Sequence, residues 1–140
     1  MNGELLIRKP GHELESLDVF VCGLPQLLGC GPWEERESMN YVEERYYCCF
    51  VLGLRATASI ADDSELPDYR FRLYLQPQYN RSNTDFLSDL ADCIARTLVI
   101  NGYEVVRPFD SSRVGQGGLV YRSDPAAAKM PWEQVVTNEY

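Results

Sequence analysis

An alternating segment followed by a helical one constrains the fold of this chain more than any other feature. In Tyr69–Gln76, apolar or aromatic residues occupy every second position, which is the period of a half-buried strand. Pro77 ends this strand because it removes a backbone donor. The residues between the apolar positions are Arg70, Arg72, Tyr74 and Gln76.

An amphipathic helix follows this strand. Either Asn83 or Thr84 can cap a helix over about residues 84–100. Its apolar positions recur at three- and four-residue spacing, namely Phe86, Leu87, Leu90, Ala91, Ile94, Ala95 and Leu98. Asn101-Gly102 supplies a left-handed stop, and Tyr103–Arg107 is extended again.

The first third of the chain has weaker signals. Leu17–Cys22 has the pattern of a short strand, and the Gly- and Pro-rich residues 23–33 favour a compact loop over a helix. Glu34–Tyr41 follows Pro32 and is compatible with one or two helical turns. This region therefore adds one short strand to the predicted fold.

The most apolar run of the chain, Tyr46–Ala58, predicts a central strand with Gly53 as a bulge or a point of close approach. The acidic segment 61–68 then turns the chain into Tyr69–Gln76, so the two strands form an antiparallel hairpin with a long, protruding connection. Leu119–Arg122 and Glu133–Thr137 are weaker strand candidates.

These elements predict an α+β fold: a mostly antiparallel sheet packed by one main amphipathic helix at about residues 84–100. A chain of 140 residues is near the usual size of one domain, so a single domain over residues 1–140 is expected. The first residues include carboxylates and only three consecutive apolar side chains, which predicts neither a signal peptide nor a membrane span. A cytoplasmic protein is the default expectation.

The five cysteines do not predict disulfides or a metal site. Their number is odd, no export signal accompanies them, and no Cys-x-x-Cys pair occurs. Cys48, Cys49 and Cys93 lie in apolar surroundings in the sequence and are interpreted as small buried hydrophobic residues. With His12 as the only histidine, no zinc site and no other cofactor is expected.

No catalytic constellation is found in the sequence, so no enzyme is predicted. A histidine-dependent mechanism would have to use His12, and no Gly-x-Ser-x-Gly nucleophile turn occurs. The glycine-rich residues 115–118 are not followed by a lysine or a helix and are interpreted as a hairpin loop. Three aspartates at helical spacing could hold a cation, but they are interpreted as a solvated face: Asp85, Asp89 and Asp92.

Charge is concentrated in the first half of the chain. Residues 1–68 contain thirteen acidic and five basic residues, whereas residues 69–140 contain eight of each. A negative surface of this kind could meet a basic partner, or its carboxylates could only solvate loops. Nucleic acid is not expected as a partner, because a basic footprint is missing.

A possible interface is indicated by the strong preference for Arg over Lys, eleven to two, together with nine tyrosines. Both residue types are enriched at protein interfaces. The candidate interface residues are Arg70, Arg72, Tyr74, Gln76 and Tyr79 of the predicted strand, with Asp62, Asp63 and Glu65 of the acidic turn. The alternative is a solvated sheet face with Arg–carboxylate pairs inside the chain.

The order of elements over about residues 46–107 resembles the small α+β tail-terminator and tail-completion proteins of tailed bacteriophages. The resemblance is carried by a central strand, an acidic turn, the strand FRLYLQPQ, the helix TDFLSDLADCIARTL and the returning strand YEVVR. Residues 1–17 depart from that family, since they lack its long N-terminal amphipathic helix.

The resemblance implies a non-enzymatic structural subunit that assembles as a homo-oligomeric ring and joins other tail or neck proteins. It would be made in the host cytoplasm and located in the virion. No direct sequence-specific binding of nucleic acid and no membrane contact is expected. It would place the outer face of Tyr69–Gln76 and the turn Asp62–Asp68 near these contacts. Two alternatives stay open. The charge pattern allows a small acidic inhibitor or immunity-type protein that binds a basic protein through its N-terminal half, and the other alternative is an enzyme with carboxylate-only chemistry.

Overall fold

The architecture consists of one sheet and two α-helices. The computed structural model describes residues 3–62, 66–78, 84–109, 117–123 and 133–136. Within these ranges eight strands form one sheet. The strands are β1 (Glu4–Arg8), β2 (Glu34–Glu37), β3 (Arg45–Val51), β4 (Leu54–Ile60), β5 (Phe71–Pro77), β6 (Glu104–Pro108), β7 (Gly118–Tyr121) and β8 (Glu133–Val136). The helices are α1 (Leu17–Leu28) and α2 (Thr84–Ile100), and a 3-10 turn spans Val42–Glu44. The predicted α+β class is confirmed.

The strand order is β2-β3-β4-β5-β1-β6-β7-β8. Neighbouring strands are antiparallel, except that β7 and β8 are parallel. β1 occupies the middle of the sheet, where Leu5 is opposite Leu73 of β5 and Leu6 is opposite Val106 of β6. The sequence pattern does not predict this strand, because three consecutive apolar residues carry no clear period.

Both α-helices pack on the same face of the sheet. Along each strand, the side chains that face the helices alternate with those of the opposite face. The core between the helices and the sheet includes Leu5, Ile7, Phe20, Leu24, Ala56, Phe71, Leu73, Ala91, Leu98 and Val105. α2 has its predicted bounds, and its core contacts come chiefly from Leu87, Ala91, Ala95 and Leu98. Phe86, predicted to face the core, is instead exposed.

α1 corrects the prediction of a short strand at Leu17–Cys22 followed by a loop. Ser16 caps the helix, since its Oγ accepts a hydrogen bond from the backbone N–H of Val19 at 3.3 Å. Gly29 ends it in a left-handed conformation with φ of 68°. The helix thus continues through most of the segment predicted to be a loop.

Tertiary packing accounts for this helix. Its buried residues recur at helical spacing and are Leu17, Phe20, Val21 and Leu24. The ring of Phe20 stacks on Phe71 of β5 with 4.3 Å between ring centroids. Burial of each such side chain contributes about 1.5–3 kcal/mol, which offsets the helix-breaking tendency of Gly23 and Pro25.

The predicted single strand Tyr46–Ala58 is wrong, because it is a hairpin of β3 and β4. Val51 is opposite Leu54, so the turn contains only Leu52 and Gly53. Both turn residues have left-handed backbone, with φ of 52° and 73°. This is the geometry of a type I′ turn, whose twist matches that of the flanking strands. Gly53 is therefore a turn residue and not a bulge.

The helical turns predicted at Glu34–Tyr41 are also wrong. Glu34–Glu37 instead forms β2, an edge strand in which Glu35 is opposite Tyr47 of β3. All four residues of β2 are exposed. A strand with four charged residues has no apolar alternation, so only its pairing with β3 reveals it.

The helix-free face of the sheet has a smaller core. Leu6, Val106 and Val120 from the central strands pack with Leu66 and Tyr69, which belong to the connection between β4 and β5. The antiparallel pairing of β4 and β5 confirms the predicted hairpin, and Leu66 is buried in its connection. None of the helices in the described ranges is both long and apolar enough to cross a membrane.

Candidate functional site

The predicted interface residues do not form one set in the structure. Arg72, Tyr74 and Gln76 lie on the helix-free face, since they alternate with the buried Phe71, Leu73 and Leu75. Arg70 instead donates a hydrogen bond from Nε to the backbone carbonyl of Glu15, just before α1, at 2.7 Å. Asp62 is exposed, and Asp63, Glu65 and Tyr79 lie outside the described residues.

Arg72 is also engaged within the chain. Its Nε lies 2.8 Å from Oε1 of Glu4, whose side chain is only 4% exposed. The sequence left open that these arginines pair with carboxylates inside the chain instead of forming an interface, and such a pair is observed at Arg72. The contact stabilises the centre of the sheet, and a role of this face in assembly stays a prediction.

Six of the exposed carboxylates in the first half of the chain lie around one margin of the sheet. We call this margin the acidic edge and define it as Asp18, Glu34, Glu35, Glu37, Glu43 and Glu44, which are all exposed. The intervening cations are Arg36 and Arg45. A depression of about 360 Å³ lies on the acidic edge, lined by Glu35, Glu37, Ser38, Met39, Glu43, Glu44 and Arg45.

Arg45 and Tyr47 of β3 fix the geometry of the acidic edge. Arg45 places Nη1 2.7 Å from Asp18 and Nη2 3.1 Å from Glu43. The Tyr47 hydroxyl contacts the carboxylates of both Asp18 and Glu35. The hydrogen bond from Tyr47, together with Arg45, lowers the pKa of Asp18 despite some desolvation, and the pKa of Tyr47 is raised in turn by the same hydrogen bond. Asp18 is thus ionised at neutral pH.

The turn that carries Glu43 and Glu44 has an unusual backbone. Both residues are left-handed, with φ of 58° and 57°. This conformation costs an ordinary residue roughly 1–2 kcal/mol. The strain positions two consecutive carboxylates beside the depression, and strained backbone is found preferentially at functional sites.

An apolar cavity of about 220 Å³ lies near the other end of β2. It is enclosed by the end of α1, the middle of α2 and the tip of the β3–β4 hairpin. The lining residues are Leu28, Gly29, Cys30, Trp33, Val51, Leu52, Leu54, Ala56, Leu73, Leu75, Leu90 and Ile94. Trp33 directly precedes β2, so the cavity and the acidic edge are adjacent along the chain.

The cysteines have free thiols. Cys48 and Cys49 are buried as expected, but Cys93 is exposed on α2, contrary to the prediction. Burial, with the neighbouring Cys49, raises the pKa of Cys30 to about 11. A thiol of this kind is protonated at neutral pH and is a poor nucleophile. Across the described residues, no group of three or more His, Cys, Asp or Glu side chains is arranged to hold a metal ion.

A buried polar network corrects the prediction that Asp92 belongs to a solvated face. The Tyr121 hydroxyl donates to Asp92 at 2.7 Å, and Arg107 donates to both Tyr121 and Ser88 at 3.0 and 3.1 Å. Arg96 Nε donates to the other oxygen of Asp92 at 2.9 Å. These contacts connect α2 to β6 and β7. Sequence reasoning missed them because Arg107 and Tyr121 lie in different strands.

The contacts in this network shift the pKa values of Asp92 and Tyr121 in opposite directions. Burial raises the pKa of Asp92, but the hydrogen bonds from Tyr121 and Arg96 and the nearby arginine charges outweigh it and leave that pKa lowered. Burial and the bond to Asp92 raise the pKa of Tyr121 to about 12. At neutral pH the network contains an ionised aspartate and a protonated tyrosine.

Comparison with known proteins gives no relative: no protein-family model, no curated protein and no solved structure matches this chain.

Proposed function

We propose that this chain is a non-enzymatic docking protein, of the inhibitor or immunity type, whose acidic edge binds a basic surface of another protein. The observation that carries the proposal is the acidic edge itself. Five exposed carboxylates lie along one edge strand and its adjoining turn, and Asp18 at the start of α1 is the sixth. Only two arginines lie among them, Arg36 and Arg45. Opposite charge on a partner would steer association and fix its orientation.

The arrangement of the cations supports this choice over the Arg/Tyr face of β5. Arg70 and Arg72 are both engaged within the chain, one by a backbone carbonyl and the other by Glu4. The carboxylates of Glu37 and Glu44, in contrast, project from exposed positions beside the depression. A partner that brings arginine or lysine side chains would find acceptors here without breaking a buried contact.

The proposal can be tested with a lysine-rich synthetic peptide as the basic probe. The test variant combines Glu34→Gln, Glu35→Gln and Glu37→Gln, and the matched control combines Asp62→Asn, Asp68→Asn and Asp89→Asn. Both variants lose three negative charges from exposed positions. We expect the test variant to bind more weakly, with a flatter dependence on salt, while the control stays close to wild type. Equal losses in both variants would mean that net charge, not the acidic edge, attracts the probe.

A second candidate is the phage-type tail or neck subunit that assembles as a ring. The observation that favours it is the succession of β4, β5, α2 and β6, which has the element order on which that resemblance depends. Light scattering or native mass spectrometry on the purified chain decides this candidate. A defined ring-sized oligomer supports it, whereas a strict monomer at high concentration contradicts it.

A further inference from the structure

Leu52 occupies a position for which leucine is poorly suited. It is the first residue of the two-residue β3–β4 turn, with φ of 52°, and Gly53 follows with φ of 73°. Turns of this type favour Asn-Gly, because asparagine tolerates the left-handed conformation better than leucine does. The side chain of Leu52 is also 84% exposed. Neither backbone preference nor burial explains a leucine at this position.

Leu52 is one of the residues that line the apolar cavity. It is exposed at the rim of the apolar cavity, whose lining also includes Trp33 and the half-buried Leu90 and Ile94 of α2. The cavity volume of about 220 Å³ exceeds the volume of about 150 Å³ that suffices to hold benzene in an apolar protein cavity. An aliphatic side chain from outside would therefore fit between Leu52 and α2.

We propose that Leu52 and this cavity receive aliphatic side chains from a basic amphipathic segment of the partner, and the inference rests on the proposed role of the acidic edge. Glu34 follows Trp33 directly and is opposite Cys48, three residues before Val51 of the hairpin tip. At about 3.3 Å per residue, the first carboxylates of the acidic edge lie roughly 10 Å from the tip. One amphipathic segment can thus contact both surfaces with its cations and its aliphatic residues.

Charge also distinguishes this occupant from a second copy of the chain. The chain has a formal net charge of -8, and its acidic edge adjoins the cavity. Two copies meeting at this surface would bring like charges together, which opposes association. A cationic segment meets the same surface with favourable electrostatics.

The test uses two synthetic helical peptides of 18 residues, one built from leucine and lysine and the other with every leucine replaced by alanine. Leu52→Asn removes the apolar side chain from the rim and keeps a residue suited to the turn. Leu14→Asn is the control, since Leu14 is equally exposed but does not line the cavity. We expect Leu52→Asn to weaken binding of the leucine peptide at least fivefold and to leave the alanine peptide and the Leu14→Asn variant unaffected.

A second variant, Leu90→Gln, changes the opposite wall of the cavity and should give the same selective loss. If neither variant distinguishes the two peptides, the cavity is not the anchor site, although the acidic edge can still bind. If the Glu34, Glu35 and Glu37 triple variant binds both peptides as wild type does, the proposed function fails instead. A dimer that forms in light scattering and disappears in Leu52→Asn would assign the surface to a second copy and overturn the inference.

Discussion

Tyr121 and Asp92 are joined by a hydrogen bond of 2.7 Å that connects β7 to α2. Tyr121 is fully buried, and its hydroxyl also accepts a hydrogen bond from Arg107. One hydroxyl group therefore forms hydrogen bonds with both a carboxylate and a guanidinium beneath the helix. Buried networks of this kind are costly when one member is removed.

We expect Tyr121→Phe to lower the free energy of unfolding by about 1–3 kcal/mol at pH 8, because Asp92 and Arg107 each lose a hydrogen-bond partner. The pKa of Tyr121 is raised to about 12, whereas an unfolded tyrosine ionises near pH 10. Its stabilising contribution is complete below about pH 10 and is lost as pH rises towards about 12. Urea titrations from pH 8 to 12 should show a shallower alkaline decline in the variant than in wild type, and parallel curves would contradict the assignment.

Phe20→Ala tests the packing of α1. Its ring is fully buried and stacks on Phe71, so its removal should lower the free energy of unfolding by about 3–5 kcal/mol. The control is Val19→Ala at the adjacent, exposed position, which should change stability by no more than about 0.5 kcal/mol. Denaturant titration of both variants checks this packing. If α1 were only a surface segment, both substitutions would change the free energy of unfolding by a small amount.

Leu52→Asn should stabilise the chain, although Leu52 is proposed to serve binding. Relief of the left-handed leucine should raise the free energy of unfolding by about 0.5–1 kcal/mol. Gly53→Ala should act in the opposite direction, with a loss of about 1 kcal/mol, because φ is positive there as well. Thermal unfolding of the two variants checks the turn, and a destabilised Leu52→Asn would show that leucine is needed for folding.

Arg72→Glu should destabilise the chain by about 3 kcal/mol, because it replaces the cation beside buried Glu4 with a second carboxylate. Gln76→Glu is the control, since Gln76 lies on the same face of β5 and is also half-buried. Urea titration should distinguish them. Equal stability of the two variants would mean that the pair of Arg72 with Glu4 contributes little to the fold. If the chain forms an oligomer and Arg72→Glu abolishes it, the stability measurement shows whether the fold was lost as well.

The segments that could be predicted are those in which the apolar residues recur with the period of a strand or of a helix. β5, α2 and the extended return into β6 follow directly from alternation, helical spacing and the glycine at 102. α1 could not be predicted because Gly23 and Pro25 argue against a helix, and tertiary packing, including the contact of Phe20 with Phe71, stabilises it. The β3–β4 hairpin was hidden by Leu52, an apolar residue where turn chemistry favours asparagine.

The candidate site was accessible to sequence reasoning only in part. The excess of carboxylates in the first half of the chain is visible in the sequence, but their convergence on one sheet margin depends on β2 pairing with β3. The cavity could not be foreseen, because its walls come from α1, α2 and the hairpin tip. The intramolecular role of Arg72 likewise requires the central position of β1.

That central position of β1 has a kinetic consequence. Residue 6 must pair with residue 72 on one side and with residue 106 on the other, so the middle of the sheet is closed by contacts between distant parts of the chain. Forming such contacts means closing long loops before any stabilisation is gained, which slows folding. During synthesis, β1 would emerge from the ribosome before β5 and β6 and stay unpaired until they follow. The two local hairpins β2–β3 and β3–β4 can form in that interval, so the carboxylates of β2 and its adjoining turn would be in place before the centre of the sheet.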